Sequence, residues 1–62
     1  MKARAMKVAR TMNGWSQLDL SKAVGCSEAI ISKIETGRVA PDRELKERIA
    51  QALKINTWEV GA

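Results

Sequence analysis

SQLDLSKAVGCSEAIISKIETG, residues Ser16 to Gly37, decides how this chain folds. Two helical patterns stand close together there, with only VGCS between them. Ser16 is a good N-cap residue. Asp19 sits three positions on, where a short capping box can close, and Trp15 and Leu20 are placed as a hydrophobic staple. These signals predict a helix from Gln17 to Val24, stopped by Gly25 in the left-handed conformation. Ser27 then caps a further helix, about Glu28 to Thr36, which Gly37 ends.

Two helices of this length joined across a glycine corner form a helix-turn-helix. Gly25 tolerates positive φ at the turn without steric cost, and Ser21 is small enough for a close crossing. With Ile30, Ile31 and Ile34 turned inward, Glu28, Ala29, Ser32, Lys33 and Thr36 share one outward polar arc. A helix held out in this way fits the major groove of B-DNA, with its N-terminal residues at the base edges. Unpaired N–H groups at the starts of both helices suit phosphate oxygens, and the side-chain amide of Gln17 can add to such a contact.

On either side of this unit the pattern stays helical. Residues 3–12 read as an amphipathic helix with Ala5, Met6, Val8, Ala9 and Met12 on the apolar arc and Arg10 on its border. Asn13-Gly14 ends it. Pro41-Asp42 opens another helix, with Leu45, Ile49, Ala52 and Leu53 on one face and the pairs Glu44–Arg48 and Arg43–Glu47 on the outer one. Asn56 with Glu59 signals a last short turn carrying Trp58 and Val60. Trp15 and Trp58 are read as core residues, and the lack of Tyr and Phe argues against single-strand binding by base stacking.

Composition bounds the rest. Sixty-two residues make one domain, read here as spanning 1–62. One Cys and no His exclude an internal disulfide and give no basis for a metal site, a cofactor or an enzyme. Cys26 is read as a small buried hydrophobe. The net charge of +4 comes wholly from residues 1–40, including Lys2, Arg4 and Lys7, which are read as a solvated helix face. No long uncharged apolar run appears, and the basic N-terminus lacks the apolar stretch of a signal peptide, so a cytoplasmic, nucleoid-associated protein is expected.

Taken together, Arg10, Gly14-Trp15-Ser16-Gln17, Leu20-Ser21, Val24-Gly25, ISKIETG at Ile31–Gly37, the segment from Arg38 to Pro41, and IAQALKI resemble the Cro/C1-type (XRE-like) helix-turn-helix family of phage and bacterial repressors. The resemblance covers nearly the whole chain. It implies an all-α fold of five helices, the third reading the major groove, and an ion pair between Arg10 and Glu35. It places phosphate binding on Gln17 and base reading on Glu28, Ala29 and Lys33. Ser32 joins the base-reading set from the outward arc, and Ser27, Arg38 and Arg43 join the phosphate-binding set, with Arg43 either near the minor groove or paired to Glu47. Where the family usually has Ala, Ser21 brings a hydroxyl that needs a carbonyl one turn back.

The function expected is sequence-specific binding of double-stranded DNA as a transcriptional regulator, a repressor, with two copies on an inverted repeat. The segment Ile55–Ala62 either supplies a modest dimer contact or caps the core. The chain is either a whole Cro-like regulator or the DNA-binding part of a larger protein. The rival reading is a protein-interaction module of the same fold, an antitoxin or adaptor. A membrane-surface role for the first helix fits poorly, because its apolar arc is mostly Ala and Met.

Overall fold

The computed structural model describes residues 3–60, with side chains from Ala5 onward. Lys2 and the Arg4 side chain therefore lie outside the described part, as does the end of the segment considered for a dimer contact. The elements are α1 (Ala3–Met12), α2 (Gln17–Val24), α3 (Glu28–Glu35), α4 (Arg43–Leu53) and a single 3₁₀ turn, Thr57–Glu59. α2 packs on α3 and α4, while α1 packs on α3, α4 and the 3₁₀ turn.

Local chemistry sets these boundaries. The Ser16 hydroxyl oxygen accepts from the Asp19 N–H at 3.0 Å, and Asp19 Oδ2 accepts from the Ser16 N–H at 2.9 Å, closing the capping box. Ser27 Oγ accepts from the Ile30 N–H at 3.2 Å, and Asp42 Oδ1 from the Leu45 N–H at 2.8 Å. At the other end of α3 the Gly37 N–H donates to Ile34 O at 3.1 Å and the Arg38 N–H to Lys33 O at 2.8 Å. That is a Schellman ending, and it requires the left-handed φ of +78° seen at Gly37. α4 ends with the same pair of bonds, from Lys54 N–H to Gln51 O and from Ile55 N–H to Ala50 O, although Lys54 must take φ 58° without being glycine.

The core consists of Met6, Leu20, Val24, Ile31, Ile34, Ile49, Ala50, Leu53 and Val60. Trp15, Cys26, Ile30, Leu45 and Ala52 are half-buried against it. Burial raises the Cys26 thiol above its ordinary pKa. Buried Ser21 donates its hydroxyl to Leu18 O at 2.7 Å, within its own helix, which satisfies a polar group that would otherwise cost free energy at the crossing.

Three expectations need correction. The fifth helix is only a 3₁₀ turn, because the Asn56 cap is followed by i→i+3 bonds alone, Glu59 N–H to Asn56 O and Val60 N–H to Thr57 O. Trp58 is 67% exposed and is not core. At three residues per turn, positions two apart point about 120° away from each other, so seating Val60 inside turns Trp58 away from the core. Among the described side chains of α1 the buried ones are Met6 and Arg10, whereas Val8 and Met12 are 52% and 81% exposed. The inward face is centred near Met6 and takes in Arg10, and it is not the arc of greatest hydrophobicity.

Candidate nucleic-acid interface

The outward side of α3 is built by what its inward side must do. Ile31 and Ile34 are fully buried, which fixes the rotation of the helix. Glu28, Ala29, Lys33 and Thr36 are then exposed, and Ser32 is half-buried at the edge of the arc. Thr36 donates its hydroxyl to Ser32 O and Lys33 O, so its polarity is satisfied within the helix end. Lys33 has no ion-pair partner among the described residues, and Glu28 stands in the first turn, where the helix dipole favours a carboxylate.

Around this arc lie the groups read as phosphate ligands. Ser27 Oγ accepts from the Ile30 N–H, which leaves its own proton free to donate. Arg38 is exposed immediately after the Schellman turn. The Arg43 side chain is 93% exposed and only 3.7 Å from Glu47, a pair too solvated to hold it firmly. The first turn of α2 presents its N–H groups beside Gln17, while Asp19 is held below the ordinary carboxylate pKa, first by the Ser16 backbone N–H and then by its hydroxyl.

Behind α3 is a buried polar joint. Arg10 Nε and Nη2 donate to Glu35 Oε2 and Oε1 at 2.7 and 3.3 Å, a bidentate pair whose side chains are 9% and 3% exposed. Arg10 Nη1 donates to the carbonyl of Trp15 at 2.7 Å, which ties α1 to the entry of α2. Gln17 Nε2 donates to Glu35 Oε1 at 3.1 Å. Sequence reasoning missed this last bond, having turned the Gln17 amide toward a phosphate. The signal was available in that Gln17 and Glu35 stand at the start of one helix and the end of its neighbour.

No helix among the described residues is long and apolar enough to cross a membrane. The family model described as helix-turn-helix matches residues 6–57. Over 54 residues, 87% of this chain, the sequence is 48% identical to antitoxin HipB of Escherichia coli K12 and 35% identical to antitoxin HipB of Escherichia coli O6:H1. It is also 29% identical over 62 residues to multiprotein-bridging factor 1 of Schizosaccharomyces pombe. The chain spans about half the length of these relatives, 61%, 57% and 42% respectively. No solved structure gives a significant match. With the glycine corner, the capped second and third helices and a family match over most of its length, the chain belongs to the helix-turn-helix family of the Cro/C1 type.

Proposed function

We propose that residues 1–62 form one DNA-binding domain of a transcriptional repressor, which works on the nucleoid and reads an inverted-repeat operator as a homodimer. The observation that carries this reading is α3 itself, a short helix capped at both ends, anchored by Ile31 and Ile34, with Lys33 and Glu28 on its polar face left without ion-pair partners among the described residues. In the major groove Lys33 donates to guanine O6 or N7, Glu28 accepts from cytosine N4, Ala29 packs on a thymine methyl, and Ser32 bonds to either kind of edge. Ser27, Arg38, Arg43 and the first turn of α2 at Gln17 hold phosphates on both sides. The weak Arg43–Glu47 pair opens at little cost when a phosphate competes for the guanidinium.

Selection of bound duplexes from a randomised pool at near-physiological salt tests this reading. An enriched inverted repeat with half-sites about one helical turn apart is the expected result. Binding without sequence preference that vanishes steeply as salt rises would reduce the activity to the nonspecific electrostatic term and sink the proposal.

Two observations favour a second reading, a protein-interaction module: Trp58 stands 67% exposed, and relatives of this chain are named as antitoxins and as a bridging factor. On that reading a protein partner protects the Trp58 end in hydrogen exchange, and Lys33→Ala leaves function intact.

A further inference from the structure

Glu35 is the point where three helices meet. Its carboxylate accepts from Nε and Nη2 along one edge of the Arg10 guanidinium on α1 and from the Gln17 amide at the first position of α2, while it belongs to the last turn of α3. The carboxylate is almost wholly buried and Gln17 is half-buried, so the bond between them is shielded from competing water. α2 carries the end that faces phosphates and α3 the side chains that face bases. Phosphate contacts set register, and base contacts read sequence only in that register.

We infer that Gln17 is a positioning residue: by donating to Glu35 it locks the first turn of α2 to the last turn of α3, so that the backbone grip and the reading helix move as one body. The inference rests on the DNA-reading function proposed above and adds a specific role within it. A primary amide has two N–H groups. One is held by Glu35, which leaves the other in a fixed direction. Gln17 therefore governs discrimination between sequences, although its own side chain touches no base.

The test uses Gln17→Met, which keeps length and loses the amide, and Gln17→Asn, which keeps the amide but is one methylene too short to span to Glu35. Binding is measured for the selected operator and for a duplex of unrelated sequence, beside thermal unfolding. The expected result for both variants is a fall in the ratio of specific to nonspecific affinity of roughly five- to tenfold, comparable to one mismatched base pair, with the unfolding midpoint lowered by a few degrees and the protein still fully folded at the assay temperature. If affinity falls by the same factor on both duplexes, Gln17 is only a phosphate donor and the inference is overturned. It is equally overturned if the unfolding midpoint drops while the folded fraction discriminates as before. A wild-type chain with no sequence preference at all sinks the function reading instead. The joint is then read by NMR exchange of the Gln17 side-chain amide protons: one slowed relative to its partner supports the bond to Glu35, and equal fast exchange of both overturns it.

Discussion

α1 and α3 offer apolar residues at comparable helical spacing, and the fold uses them differently. In α3 the arc of isoleucines is the buried face, with Ile31 and Ile34 inside and Ile30 half-covered. In α1 the helix is turned so that Met6 and Arg10 face in, while Val8 and Met12 stay in solvent. Rotating α1 toward its most apolar arc would bury Val8 and Met12 and release Met6. The net gain is about one side chain, or about 1.5–3 kcal/mol. The same rotation withdraws Arg10 from Glu35, and leaving one member of such a pair buried alone costs about 3–5 kcal/mol. The charge therefore wins. A helix without a buried ion can be read from its hydrophobic periodicity, and one that carries such an ion follows its polar partner.

The largest predicted effect attacks that partner. Glu35→Ala strands Arg10 and removes the acceptor of Gln17, so chemical denaturation should show a loss of about 3–5 kcal/mol. Replacing both members by apolar residues, as in Arg10→Met with Glu35→Leu, should recover much of the single-mutant loss. A double variant no more stable than the single one would mean that the pair does not set the rotation of α1. Next comes the α3 side of the comparison: Ile34→Ala should cost about 2–5 kcal/mol by opening a cavity in a fully buried site. On the outer face of the same helix, Lys33→Ala should leave unfolding unchanged and weaken operator binding by about 1–3 kcal/mol, and parallel losses of fold and binding would show that the faces were misassigned.

Acid sharpens the contrast at the entry to α2. Asp19 has its pKa depressed in the folded state, so the stability it lends is present above the ordinary carboxylate value and is lost as pH falls through the depressed one. Asp19→Asn should flatten the acid limb of a stability–pH curve, and an unchanged limb would remove the capping box from the account. The smallest effect belongs to the arc that α1 leaves outside. Val8→Ser and Met12→Ser should each shift stability by no more than about 0.5 kcal/mol. A loss of several kcal/mol measured by thermal melting would place these side chains in the core after all.

The start and end of each helix were legible because the interactions that set them are local. Ser16 with Asp19, Ser27 with the N–H of Ile30, Asp42 with that of Leu45, and Gly37 in its left-handed turn all act within one turn of chain. The outward arc of α3 was legible too, since its apolar residues point one way and hold no competing ion. The hydroxyl of Ser21 found its carbonyl within its own helix, as local reasoning required. Ala50 was harder, because a methyl group buried in the core carries almost no periodic signal of its own.

Sequence alone therefore determined the helical segments, the glycine corner and the polar face of α3, since each depends on residues a few positions apart. Tertiary structure decided the rotation of α1, the exposure of Trp58 and the partner of the Gln17 amide. Those depend on groups 18 and 25 residues apart, Gln17 with Glu35 and Arg10 with Glu35, and on which of Trp58 and Val60 finds room beside the core. A buried carboxylate needs donors from wherever the chain can bring them, and only the assembled fold says where that is.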